Sequence, residues 1–220
     1  MVAPMKIGIL GGTGPAGRGL GLRLAVAGHE VSIGSRDQAR AEGIAAELRD
    51  RVPGADLELV GRDNAGAAGA EMVVVGTPWD SAVATVRSVE ELLAGKAVVS
   101  MVVALLRQGR EMLPLQVPRG SMASALQAAL PGSRVAAAFH HLPASEMEDL
   151  ASGLEADVLV CSDHEDARLA TMSLVESMEG LRPVDVGSLA QAGAVEAFTA
   201  TCITVNMRHR VHSTVRLAGL

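Results

Sequence analysis

The sequence predicts an α/β fold, and two observations carry that prediction. Short β-branched runs alternate with Ala/Leu-rich stretches of helical spacing, and a glycine-rich turn joins the first run to the first such stretch. Such alternation builds a parallel sheet wrapped by helices, here a Rossmann-type doubly wound sheet with a small C-terminal α/β extension. A chain of 220 residues that is 49% hydrophobic has enough apolar surface for one substantial core.

In order, residues 6–10, 30–33, 72–76, 97–103 and 134–139 read as strands, and residues 16–27, 37–51, 81–93 and 121–130 as helices. The first helix stops at Gly28. Residues 105–120 read as a surface loop, and residues 64–69 as a small-residue turn or helix cap. After Pro143 the pattern loosens to a strand at 157–161, a helix at 164–178, an extended piece at 181–186 and a final helix at 189–208. This divides the chain into residues 1–145, a dinucleotide-binding domain, and residues 146–220, a small second unit.

Composition excludes several classes. A net charge of -6 without a long Lys/Arg block offers no general attraction to nucleic acid. The longest apolar stretches, such as residues 97–106, are too short to span a bilayer, and residues 1–10 run into a strand with no cleavable signal pattern. A cytoplasmic protein is expected. Cys161 and Cys202 lie far apart with no His or Cys at metal spacing, so neither a disulfide framework nor a metal site is expected. The absence of tyrosine removes the Tyr/Lys proton-donor pair of many short alcohol dehydrogenases, and Lys6 and Lys96, each just ahead of a strand, make lysine acid catalysis a poor reading.

The run from Ile7 to Gly17 places G-x-G-x-x-G between a strand and a helix, where the pattern gains its meaning. Gly12 is expected to allow the tight turn, Gly14 to admit a pyrophosphate close to the backbone, and Gly17 to let the helix pack on the strand. The helix N-terminus adds free N–H groups and positive potential, and Pro15 fits its first turn. About twenty residues on, where an acid usually binds the ribose hydroxyls, the sequence has Gly34-Ser35-Arg36. Ser35 and Arg36 can donate to a 2′-phosphate that a carboxylate would repel, and Arg40 lies one helical turn after Arg36. NADP is therefore expected over NAD, since a charge-assisted bond contributes roughly 1.5 to 3 kcal/mol. The other reading is a solvated helix start with ordinary surface arginines, with Asp37 serving a 2′-hydroxyl.

These features combine with Thr77-Pro78-Trp79, His140 followed by Leu142-Pro143-Ala144, Gly180-Leu181-Arg182-Pro183 and the stretch from Asn206 to Leu220. In this combination the sequence resembles the NADPH-dependent coenzyme F420 reductases over nearly its whole length. The H-x-(I/L)-P-A, G-L-R-P and N-x-R-x-x-x-H segments are its most specific parts. The resemblance implies reversible hydride transfer between NADP(H) and a deazaflavin, coenzyme F420; separately, the Ala-rich, tyrosine-free final helix offers a dimer surface, and a homodimer is expected. It implies that Thr13, Gly14, Pro15 and Ala16 hold the pyrophosphate, and that Ser35, Arg36 and Arg40 hold the 2′-phosphate. Thr77, Pro78 and Trp79 follow the strand at 72–76, at the carboxyl edge of the sheet, with Trp79 either bordering the nicotinamide or packing in the core. Val103 is placed beside the nicotinamide ribose or ring. One departure is that residues 100–104 lack the prolines of the family's archaeal type.

His140 and His141 are expected to end a strand and so to point to opposite faces, with at most one reaching the pocket. The resemblance favours His140, with Leu142 and Ala144 closing over the nicotinamide and the C-terminal unit covering the pocket; the alternative is a histidine bonded in the core. The basic stretch from Arg208 to Arg216 is expected to help hold the deazaflavin's phosphate and glutamate tail, with Thr214 near the nicotinamide end, or else to complement a helix macrodipole. A deazaflavin and a nicotinamide can exchange hydride directly when stacked with reacting carbons about 3 to 3.5 Å apart. The protein then needs to orient, and no nucleophile or catalytic acid is expected. Two other readings are an NADPH-dependent reductase of a small keto or imino acid, which needs a larger helical second domain, and a non-catalytic NADPH-sensing module.

Overall fold

A computed structural model describes residues 3–220. The chain starts in the middle of a sheet with β1 (Lys6–Leu10) and crosses through α1 (Pro15–Val26) to β2 (Glu30–Ser35). It continues outward through α2 (Gln38–Asp50) to the edge strand β3 (Leu59–Asp63). The short α3 (Asn64–Ala68) then returns it to β4 (Met72–Val75), which pairs with the other side of β1. From there α4 (Trp79–Arg87), α5 (Glu90–Leu93), β5 (Ala97–Ser100), a hairpin of β6 (Leu105–Gln108) and β7 (Glu111–Pro114), α6 (Met122–Ala129) and β8 (Arg134–Ala137) extend the sheet the opposite way. The last elements are α7 (Ala144–Glu148), β9 (Ala156–Ser162), α8 (Glu165–Glu176), β10 (Leu181–Asp185) and α9 (Ala192–His209).

The order in the main sheet is β10-β9-β8-β5-β4-β1-β2-β3. All pairings in it are parallel except β8 with β9, so β9 and β10 continue the sheet in the reverse direction. This is the mostly parallel α/β architecture read from the sequence. The order reverses between β1 and β4, and at such a switch point the loops after the two strands diverge and leave a crevice.

Helices cover both faces, so the central strands are apolar on both. Ile7 and Ile9 of β1 join Met72 and Val74 of β4 in a core beneath α1 and α2, whereas Leu10, Val73 and Val75 enter a second core beneath α4 and α6. Side-chain alternation along each strand divides them.

The boundaries differ from the sequence expectation in ways that shape the site. The predicted strand at 97–103 stops at Ser100, and that at 134–139 stops at Ala137. The helix expected at 81–93 begins at Trp79 and breaks into α4 and α5. Residues 105–120, expected as a loop, contain the antiparallel hairpin, whose Met112 N–H donates to Thr204 of α9 at 2.9 Å. The strand β3 has no counterpart among the predicted strands because it lies at the sheet edge and buries only Leu59.

Candidate functional site

The glycine turn is built as a close approach. The tight turn expected of Gly12 has its left-handed residue one position earlier, at Gly11 (φ +69°). Gly12 is pinned by donating to the Gly34 carbonyl at 2.9 Å, and α1 rests directly on it: a Cβ at Gly17 would lie 2.6 Å from the Gly12 Cα. Gly14 is the N-cap of α1, and a Cβ there would meet only the Gly11 carbonyl oxygen, at 3.8 Å. The backbone at Gly14 therefore stays open to a ligand at the positive end of a twelve-residue helix.

A cleft of about 490 Å³ opens over this turn. Thr13, Gly14, Pro15 and Ala16 line one side, Ser35, Arg36 and Arg40 a second, and Thr77, Pro78, Trp79 and Val103 a third. Gly12 lies under the turn as its support and is not part of the lining. Asp37 is engaged as the N-cap of α2, accepting from the Arg40 N–H at 3.1 Å, and it does not line the cleft. Trp79 is 39% exposed, which removes the core-packing reading of that residue. The Thr77 hydroxyl, at the carboxyl end of β4, is buried and has no hydrogen-bond partner among the described residues.

A second compartment of about 360 Å³ adjoins the first and shares Ala16, Met101 and Val103 with it. His140, Leu142 and Ala144 line it together with residues of α9. The two histidines lie beyond β8, because the left-handed Phe139 (φ +69°) turns the chain. Strand alternation therefore does not apply to them, and both border the compartment. They differ in their partners. His141 donates from Nε2 to the Asp157 carbonyl at 2.7 Å, whereas neither ring nitrogen of His140 has a partner among the described residues. Burial, aided by neighbouring His141, pushes the His140 imidazole down to about 3, so it stays neutral and offers one donor and one acceptor.

Thr214 is exposed and lines neither compartment. Arg208 pairs with Glu111 on the hairpin, and Arg110 donates to the last carbonyls of α9, so the basic stretch is tied to the helix end. Sequence reasoning passed over Asn64, whose Oδ1 accepts from the Gly11 N–H at 3.4 Å at the cleft edge. It also passed over Met101 between the compartments, and over Thr199, Cys202, Ile203 and Asn206. Those four follow the spacing of one helix face, a signal that was present without any indication of what the face met. Among the described residues no group of three His, Cys, Asp or Glu side chains could hold a metal ion.

A family model for coenzyme F420-dependent NADP oxidoreductases matches residues 6–104. The chain is 36% identical to an F420-dependent NADP reductase of Methanothermobacter marburgensis, over 98% of this chain and 99% of that one. It belongs to the F420-dependent NADP reductase family. A second relative of that name, from Methanocaldococcus jannaschii, is 33% identical over 98% of this chain and 99% of its own. A solved structure described as a candidate F420-dependent NADP reductase, from Arthrobacter sp. FB24, is 27% identical with a TM-score of 0.82, covering 97% of this chain and 99% of that one. A pyrroline-5-carboxylate reductase of Coxiella burnetii shares the fold at 15% identity and a TM-score of 0.60, and this chain covers 65% of it. The unpartnered Thr77 hydroxyl, the open backbone at Gly14 and the neutral, unpartnered His140 fit the two groups that an F420-dependent NADP reductase brings together.

Proposed function

We propose that this protein catalyses reversible hydride transfer between NADP(H) and coenzyme F420. The observation that carries the reading is the junction of the two compartments at Ala16, Met101 and Val103, one bordered by arginines and an open helix N-terminus, the other by a neutral histidine. The two bound groups themselves supply the hydride donor and acceptor. Thr13, Gly14, Pro15 and Ala16 hold the pyrophosphate through backbone donors, and Ser35, Arg36 and Arg40 bind the 2′-phosphate. Thr77, Pro78, Trp79 and Val103 border the nicotinamide half. His140 hydrogen-bonds the deazaflavin side from a dry wall completed by Leu142 and Ala144, and Thr214 belongs to the segment that covers it.

In this reading residues 1–145 hold NADP(H), the first two lying outside the described residues, and residues 146–220 complete the deazaflavin side. The proposal includes a cytoplasmic homodimer formed through α9. One observation supports the dimer: Phe198 and Val205, seven residues apart on that helix, are both exposed.

The test mixes the protein with NADPH and oxidised F420 and follows the loss of the deazaflavin's visible absorption. Bleaching with NADPH and its reversal by NADP are expected. Tight NADPH binding without bleaching would overturn the reading in favour of an NADPH sensor.

A further inference from the structure

Asp157 of β9 is 0% exposed, and every polar group it owns is engaged. Its register partner on the parallel strand β10 is Arg182, so the two side chains emerge on the same face. The Arg182 fork donates from Nε to Oδ1 at 2.8 Å and from Nη2 to Oδ2 at 2.6 Å. It holds the Asp157 carboxyl down to about 2. The Leu217 N–H donates to Oδ2 at 2.6 Å, and Arg182 also donates to the Leu217 and Leu220 carbonyls at 3.1 and 2.7 Å. The Asp157 N–H donates to the Val215 carbonyl at 2.8 Å. Its own carbonyl accepts from His141, next to the pocket histidine.

The segment held at this point contributes His212 to the wall of the second compartment. The left-handed Arg210 turns the chain off α9. Asn206 Oδ1 then accepts from the Ser213 N–H at 2.8 Å and from its hydroxyl at 2.6 Å. His212 Nδ1 meets the Ser145 hydroxyl at 2.9 Å. Asn206 and His212 both face the compartment. One buried residue therefore anchors both the His140–His141 turn and the strand-like strap opposite it.

We propose that Asp157 and Arg182 form a clasp that fixes residues 211–217 against the second compartment and so sets its affinity for the second substrate. Arg216 of the terminal basic run adds to it, its Nη1 lying 3.4 Å from Asp157 Oδ1, so Arg182 of the G-L-R-P segment and Arg216 share a common role as positioning residues acting through His212 and Asn206. The inference rests on the proposed F420 reaction. A clasp that merely fastened a loose end would not alter substrate binding.

The test uses full-length protein carrying Arg182→Gln, Arg182→Lys or Asp157→Asn. For Arg182→Gln and Asp157→Asn the KM for F420 is expected to rise about tenfold or more. Turnover number and NADPH affinity, the latter followed by Trp79 fluorescence, should stay within about twofold of wild type. Arg182→Lys, which keeps the charge without the fork, should fall between. Trypsin should cut faster after Arg216 in the Gln variant. An F420 KM unchanged in Arg182→Gln overturns the clasp, and so does a parallel loss of NADPH affinity. Arg182 is half-exposed, so its variants carry the test if Asp157→Asn does not fold. Wild-type protein that fails to turn over F420 overturns the functional reading itself, whereas wild-type turnover with an unchanged variant KM overturns only the clasp.

Discussion

Gly34 packs against Ala67 with no room for a side chain. A Cβ at position 34 would lie 2.9 Å from the Ala67 Cβ and 2.9 Å from the Ile9 carbonyl oxygen. Position 34 is where a dinucleotide site usually carries an acid for the ribose hydroxyls, and packing of α3 on β1 and β2 closes it. Gly34→Asp is therefore expected to lower stability by about 1 to 3 kcal/mol through overpacking. It should weaken both NADPH and NADH instead of exchanging them. A thermal melt together with NADH titration checks this; a stable variant that gained NADH use would contradict it.

Selectivity for the 2′-phosphate is expected to reside in Arg36 and Arg40, which line the cleft and form no ion pair among the described residues. Replacing both with Gln should raise the NADPH dissociation constant about tenfold to a hundredfold, as loss of charge-assisted bonds predicts. NADH binding should change little. Equal weakening of both nucleotides would place the arginines outside the phosphate site.

The sequence made the first half of this site legible because a phosphate turn needs backbone geometry that only a few residues supply, in one continuous segment. Glycines at 12, 14 and 17 and the Ser35-Arg36 pair could be read directly. The second compartment depends on residues brought together from the turn after β8, α7, α9 and the C-terminal strap, which no local pattern joins. His140 was found through the family's H-x-(I/L)-P-A segment, yet its geometry was not: strand alternation predicted opposed histidines, and the left-handed Phe139 cancels that rule. Asn64 carried no signal, since its role comes from α3 folding back onto the turn. The hairpin was hidden because its strands are mostly exposed and lack an apolar alternation.

The neutral state of His140 makes stability depend on pH. An unfolded histidine takes up a proton near pH 6.5, whereas the folded one resists protonation until about 3. The unfolded state therefore binds more protons throughout that window, and stability falls as the pH drops from 6.5 toward 3, by about 1.4 kcal/mol per unit from this group. His141, also lowered by burial, adds to the same trend. His140→Gln should flatten the acid side of the urea-midpoint profile and weaken F420 use moderately. His140→Ala should weaken F420 use further while turnover persists, and complete inactivation with both substrates still bound would make His140 an obligatory acid.

Phe198 and Val205 give α9 an exposed apolar stripe, 41% and 38% exposed. Phe198→Glu is expected to convert the proposed dimer to monomer in sedimentation or light-scattering measurements, because a charge in a dimer core has no partner. A wild-type monomer at micromolar concentration would remove the dimer from the proposal.

The last helix also secures α6. Glu196 reaches back across 74 residues, accepting the Met122 N–H at 2.8 Å with one oxygen and the Ala123 N–H at 3.0 Å with the other. These are free donors of the first turn, with Ser121 capping the same end through the Ser124 N–H at 2.9 Å. Burial pushes the Glu196 carboxyl up, and the two backbone donors oppose that shift. In Glu196→Gln only one oxygen remains to accept, and an amide N–H faces the second donor. That leaves a buried N–H unsatisfied at a cost of about 1 to 3 kcal/mol. Since α9 also lines the second compartment, the variant is expected to lose F420 affinity along with stability, while NADPH binding through β1 and β2 is retained. Equilibrium unfolding and separate titrations of the two substrates measure both parts. A Gln variant as stable as wild type would mean that water or Ser121 serves these donors instead.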